Sequence, residues 1–312
     1  MAGHPIFLRW AEPPGDELDP RRARPDGDWR LWPAVFRDGA GGALSCLRGT
    51  RPGSPRRRIV VSAGDAPELL AGIDAGLRRP GDELVLLPPT VNGCPEMASL
   101  AMALAGGAPG SAVVVTGAVT PAGALAPLAE IGELCTETRA DLLLDLTLAR
   151  HSPLLRDPWL KPSGYVAALD RWDGASPGTW GALRAPEPLP STWAVPPAPA
   201  LLHLDGALRG ALADQAGVTV WPLGTRRCGT GVVGFSIRGW SAEEAAAVLW
   251  EAFGIALEAG PLTAAPLPLP DEFGRGILRA SLGSDSKPEH GGALAAAVSR
   301  LACSRAPSTV SH

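Results

Sequence analysis

Between Ile59 and Leu183 the chain alternates short apolar runs with longer amphipathic ones, and this rhythm constrains the fold more than any other feature. Ile59 to Ser62, Glu83 to Leu87, Ala112 to Thr116, Leu142 to Asp145 and Gly164 to Ala168 have strand length. The segments between them read as helices. Asp65 and Glu68 are spaced as a capping box around Pro67, and Leu69, Leu70, Ile73 and Leu77 share one face of the helix that follows. Arg79-Pro80-Gly81-Asp82 ends it. Asn92 and Pro95 open a second helix with Met97, Leu100, Met102 and Leu104 largely buried; Leu125 to Thr138 forms a third with Leu128, Ile131, Leu134 and Cys135 on one side. Strands alternating with helices at this spacing predict an α/β fold with a largely parallel sheet and right-handed crossovers.

The stretch Asp141 to Leu183 carries the candidate chemistry. Two of its strands deliver an acid at or near the carboxyl end, Asp145 and Asp170. Ligands of open α/β sheets sit beyond those ends. A turn rich in Gly and Pro then leads toward another strand.

On either side the pattern changes. Residues 1–58 read as an irregular arm with alternating Asp and Arg, a basic run at Arg56, Arg57 and Arg58, and Trp10, Trp29 and Trp32 to dock it on a core. Residues 59–186 form the large α/β domain, and 187–200 are a proline-rich, extended linker. Residues 201–312 suggest a small α+β domain. It has a helix near Leu201 to Ala216, strands at Val218 to Trp221 and Val232 to Ile237, and a helix N-capped by Ser241 with Glu243 and Glu244 in its first turn. A short strand at Ile255 to Leu257, a strand at Gly276 to Leu282 and a helix from Gly292 to Cys303 complete it.

Composition argues against several classes. The net charge is −4, so no basic face marks a nucleic-acid footprint. Five cysteines, Cys46, Cys94, Cys135, Cys228 and Cys303, are scattered without a CxxC pair, which fits a reducing cytoplasm better than a disulfide scaffold or a zinc site. No basic region followed by an apolar one marks a signal peptide at the start. Met97 to Ala129 carries no charge, but Gly106, Gly107, Pro109 and Gly110 divide it into a buried helix and a buried strand, not a membrane span.

Most familiar motifs fail. Gly229, Gly231 and Gly234 fit GxGxxG, yet they run into a strand instead of leaving one for a helix. No P-loop, HExxH or GxSxG occurs. His203 and Asp205 face opposite ways on a helix and are poor metal partners. Cys228, beside Arg226 and Arg227, reads as a loop thiol.

The order of elements from Ile59 onward resembles the class V aminotransferases, the cysteine desulfurase-like branch of fold-type I pyridoxal phosphate (PLP) enzymes. GDELVLLPP, AGALAPLAEIGELC, ADLLLDL, SGYVAALDRW and SPGTWGAL carry the likeness in the large domain, and VVGFSI and GILRASLG in the small one. The resemblance covers about 250 residues with gaps. It implies a mainly parallel seven-strand-type sheet between helices, a small α+β C-terminal domain, and a site at a dimer interface.

The resemblance also assigns roles. Asp145 stands where the family's Asp pairs with the pyridinium nitrogen. The Schiff-base lysine belongs in the triplet that here reads Asp170-Arg171-Trp172, and a guanidinium is no amine nucleophile. The chain's two lysines, Lys161 and Lys287, lie elsewhere. Leu148 replaces the residue expected three places after the Asp, and Ala168 the phosphate-holding hydroxyl. Arg279, in ILRAS, stands where the family's arginine holds a substrate carboxylate. Each has a structural reading too: Asp145 as a cap or ion pair, Arg279 paired with Asp145 or Asp170, and Arg171 filling the cofactor pocket near Asp145.

The expectation is a repurposed protein with no cofactor. It would bind or convert a small carboxylate-bearing or carrier-bound metabolite, in the context of specialised biosynthesis. Asp145, Asp170 and Arg171 are its catalytic candidates, and Arg279, Trp172 and Trp180 its substrate contacts. The alternative is a non-catalytic partner or scaffold that completes a homologous PLP enzyme; a further reading keeps PLP held noncovalently. A homodimer or heterodimer in the cytoplasm, with no nucleic acid or membrane partner, is expected in each case.

Overall fold

The structure is a computed structural model and describes residues 6–7, 34–37, 39–47, 57–105, 111–116, 120, 123–148, 160–169, 178–184, 199–221, 230–260, 263, 276–282 and 286–304. In chain order its first half comprises β1 (Ile6–Phe7), β2 (Ala34–Phe36), α1 (Ala40–Leu47), β3 (Arg58–Ser62), α2 (Pro67–Gly72), β4 (Glu83–Leu87), α3 (Met97–Ala105), β5 (Ala112–Thr116) and α4 (Leu128–Thr138). Then come β6 (Asp141–Asp145), β7 (Gly164–Ala168), β8 (Trp180–Arg184), α5 (Pro199–Ala213), β9 (Val218–Trp221), β10 (Val232–Ile237), α6 (Ala242–Phe253), β11 (Ile255–Ala256), β12 (Leu278–Ser281) and α7 (Pro288–Ser304).

The main sheet has seven strands in the order β2-β8-β7-β6-β5-β3-β4. Strands β3 to β7 pair in parallel; β8 runs antiparallel to β7, and β2 antiparallel to β8. The α/β expectation with a mainly parallel sheet therefore holds. Alternation along each strand feeds two cores, as it must when both faces are buried. Val60, Val113, Val115, Leu142 and Leu144 meet Leu100 and Leu104 of α3 and Leu128, Ile131 and Cys135 of α4. Ile59, Val61, Val114 and Leu143 share the opposite core with Ala43 and Leu44 of α1 and Leu69 of α2. A π-helical turn, Ile73–Leu77, extends α2 and adds Ile73 and Leu77 to that core. It lies so close to α1 that a Cβ on Gly76 would collide with the Gly41 carbonyl.

The smaller sheet is antiparallel, in the order β12-β10-β9. One of its faces, with Val233, Phe235, Ile237, Leu278 and Ala280, packs on α5, α6 and α7. Val232 points the other way, into the core of the large sheet. Ser241 caps α6, as its sequence predicts, and the structure makes that cap a full capping box with Glu244. Among the described residues, no helix is long and apolar enough to cross a membrane.

Four expectations need correction. The arm 1–58 is not wholly irregular: β2 completes the edge of the main sheet, α1 covers one face, and β1 pairs with β11. Arg58 begins β3 and Arg57 immediately precedes it, Arg57 pairing with Asp82 at 3.0 Å and Arg58 with Glu83 at 2.9 Å. The capping box at Asp65 and Glu68 does not form, because the N-cap is Ala66 with Pro67 after it, and no side chain caps it. Met102 is 71% exposed, on a face with the exposed Ala98 and Ala105; the one polar residue of MASLAMALA, the half-buried Ser99, lies beside that face and not on it.

Candidate functional site

The carboxyl ends of β3, β4 and β6 and the start of β8 gather the candidate groups at one edge of the main sheet. There the loops are held by backbone closeness and hydroxyl bridges. Gly64, after β3, lies against Gly93 and Pro89, and a Cβ would clash with both. Thr120 donates its hydroxyl to the Asn92 carbonyl at 3.0 Å and accepts from Ala124 N at 3.1 Å. The Cys94 thiol donates to the Leu125 carbonyl at 3.5 Å. Burial, then the Asp65 charge, push that thiol up to about 11, so it is no nucleophile at neutral pH.

Asp145 closes β6 on the face it shares with Leu143, the side covered by α1 and α2. It is only 2% exposed. Its Oδ1 accepts from Thr147 N at 2.9 Å and from the Thr147 hydroxyl at 2.5 Å. That hydroxyl in turn accepts from Ala168 N at 2.9 Å, so Thr147 ties β6 to β7 through the carboxylate. Burial pushes the Asp145 carboxyl up to about 6; the two Thr147 hydrogen bonds pull it down, and the charge of Glu68 in α2 pushes it up further. Among the described residues no cation is ion-paired with Asp145. Thr147 went unread in the sequence, although an Asp followed two places later by Thr is a local signal for such a turn.

Arg279 is buried in β12, opposite Gly234 of β10. Gly234 and Val232 share one face of the small sheet, and Val232 enters the large domain's core, so Arg279 lies on the face turned toward the large domain. Among the described residues its acid partner is not Asp145. Glu258 accepts from Arg279 Nε at 2.6 Å and lies 2.5 Å from Nη2. Backbone hydrogen bonds run both ways between the two residues. The 21-residue separation left this partner invisible to local pattern.

Trp180 begins β8 opposite Ala168, on the face of Asp145, but its side chain is buried in the core beside α1 and is not an open wall. Leu148 packs on the other core. Asp170, Arg171 and Trp172 lie outside the described residues, as does Cys228. Lys161 is exposed three residues before β7, at the end of that strand remote from Asp145, and Lys287 is exposed at the start of α7.

Comparison with solved structures places this geometry. A NifS-like protein from Rickettsia africae superposes with a TM-score of 0.66 at 13% identity, covering 96% of this chain and 99% of that one. Alanine–glyoxylate aminotransferase from Nostoc sp. gives 0.64 at 15%, covering 96% of each chain. A structure described as SPT with PLP gives 0.62 at 17%, covering 87% of this chain and 72% of that one. No protein-family model matches the sequence, and no curated protein matches it. Identities this low show the fold alone, and the fold is that of the class V aminotransferase-like, fold-type I PLP enzymes. The expectation of a protein with no cofactor, drawn from Arg171 and the two displaced lysines, is overturned by these neighbours. They are enzymes of the PLP fold, one of them solved with PLP, and they point to PLP.

The residues present fit the ring of that cofactor at one point. A buried carboxylate raised by desolvation is stabilised by a cationic N–H donor, and a pyridinium nitrogen is one. Asp145 is such a carboxylate, with Oδ1 held by Thr147.

Proposed function

We propose that this chain binds PLP at the carboxyl edge of its main sheet and holds a small carboxylate-bearing or carrier-bound metabolite between that edge and the small domain. Asp145 would hold the ring nitrogen and Arg279 the metabolite carboxylate. The observation that carries the reading is the buried Asp145 carboxylate, oriented by Thr147 and lacking a cation among the described residues. When bound, PLP supplies an electron sink through its protonated ring. Above about pH 6 Asp145 is ionised, and its charge keeps the proton on the ring nitrogen. Thr147 keeps the carboxylate in one orientation, and the covered β6 end excludes water that would weaken the pair. By the resemblance Arg171 stands in place of the lysine, and the cofactor would then be held by noncovalent contacts.

The test is a titration of PLP into purified full-length protein, followed by tryptophan fluorescence and by cofactor absorbance. Asp145→Ala is expected to weaken binding by about tenfold or more, the loss of one buried charge-assisted hydrogen bond. Asp145→Asn, which keeps the acceptor and removes the charge, should fall between. Equal affinity in wild type and both variants sinks the assignment. We also propose a dimer, as the resemblance implies; light scattering of the same preparation reads the mass directly.

A further inference from the structure

The Arg279–Glu258 pair is not an ordinary structural bridge in its placement. Both side chains are largely buried, at 9% and 15% exposure, yet neither is sealed. Both guanidinium donors converge on one oxygen, Oε2 of Glu258, along the Nε–Nη2 edge that bidentate carboxylate recognition uses. The backbone bridge between the two residues sets their side chains side by side before any ligand arrives. Opposite Arg279 stands Gly234, which itself puts no side chain beside the guanidinium. The pair lies on the sheet face turned toward the large domain, as Val232 on that face shows.

We propose that Glu258 is a specificity-determining residue: its carboxylate occupies the edge of Arg279 that a ligand carboxylate would take, so a ligand binds there only by displacing it. The inference rests on the reading of Arg279 given under the proposed function. Its consequence is selectivity. A bare monocarboxylate gains little, because it exchanges one carboxylate for another on the same cation. A ligand that succeeds must bring further contacts elsewhere in the site, as a larger or carrier-bound metabolite does. Exchange breaks the hydrogen bonds to Arg279, and the displaced Glu258 has a path to water through its exposed part.

The experiment uses the full-length chain with PLP present and two probes, pyruvate and methyl pyruvate, measured by isothermal titration calorimetry. Glu258→Gln keeps an acceptor for Arg279 and removes the competing charge. It is expected to bind pyruvate about tenfold tighter than wild type, with the uncharged ester unchanged. Glu258→Asp, one methylene shorter, draws the carboxylate back and should give a smaller gain; it also serves if circular dichroism shows Glu258→Gln misfolded. Arg279→Met should abolish pyruvate binding in both backgrounds. Pyruvate binding no tighter in Glu258→Gln and Glu258→Asp, but lost in Arg279→Met, overturns the competitor role and leaves the Arg279 reading standing. Binding unaffected by Arg279→Met, or absent from every variant, overturns both.

Discussion

Two buried aspartates, Asp145 in the large domain and Asp205 in the small one, live by opposite rules. Both are at most 2% exposed. Asp205 lies one helical turn before Arg209 on α5 and accepts from its Nε at 2.9 Å, while Gly231 N donates to the other oxygen at 3.2 Å. Arg209 then donates to the Trp221 and Val232 carbonyls and to Thr230. Charge meets charge, and the guanidinium's remaining donors meet carbonyl and hydroxyl oxygens that would otherwise be buried without partners. Among the described residues, the donors to Asp145 are neutral and come from Thr147. The first arrangement joins α5 to β9 and β10. The second leaves a buried carboxylate with no ion-pair partner among the described residues.

The comparison is broken most directly at Arg209. Arg209→Met strands Asp205 as an uncompensated buried charge and should cost about 3–5 kcal/mol in urea unfolding at pH 7. Adding Asp205→Asn should recover part of that loss, because the stranded charge disappears. A cost below about 1 kcal/mol would mean that Asp205 finds water, and the contrast with Asp145 would collapse.

Next in size is Asp145 itself. Its folded-state value of about 6 lies above the ordinary 3.8, so the folded protein favours the protonated form. The stability it lends is complete below pH 3.8 and is lost as pH rises through 6. Two pKa steps at about 1.4 kcal/mol each make the whole change about 3 kcal/mol. Asp145→Asn removes the ionisation. Wild type and variant should therefore be close at pH 4 and diverge by pH 8, with the variant the more stable. Urea curves at pH 4, 6 and 8 read this difference, and parallel behaviour across that range would show that the carboxylate is solvated. Bound PLP should restore wild-type stability at pH 8, by placing a cation against the charge.

How far this contrast was legible in the sequence depends on the distance over which each group finds its partner. Continuous apolar runs placed β5 and β7 at their observed limits, because strands buried on both faces are written locally; β4 was read at its limits too, although it is an edge strand with Leu86 exposed. Asp145 was readable from its place at a strand end. Three-residue β2 was not, since its strand character comes from the free edge of β8. Glu68 looked like a capping residue, but its charge acts on Asp145 across the layer between α2 and the sheet. Asp205 and Arg209 have the i,i+4 spacing of an ordinary surface pair; only the fold turns both inward. The exposed pair Asp74 and Arg78 has the same spacing. Spacing alone therefore could not tell a structural charge from a surface one, nor either from a site.

The smallest effect concerns the hydroxyl that makes Asp145 different. Thr147→Val keeps the shape and the backbone donor but removes the hydroxyl that donates to Asp145 and accepts from Ala168 N. The expected loss is about 1–2 kcal/mol at pH 8, the cost of leaving one buried N–H without its partner. The carboxylate also loses a hydrogen bond that favours its ionised form, so its midpoint should move above 6. Thr147→Ser restores the hydroxyl and should restore both. Following the Asp145 carboxyl by carbon-detected NMR separates the two contributions. A midpoint unmoved in Thr147→Val would mean that the backbone donor from residue 147 alone orients Asp145. The link between β6 and β7 would then be structural, and the poise of the site would rest on burial and on Glu68.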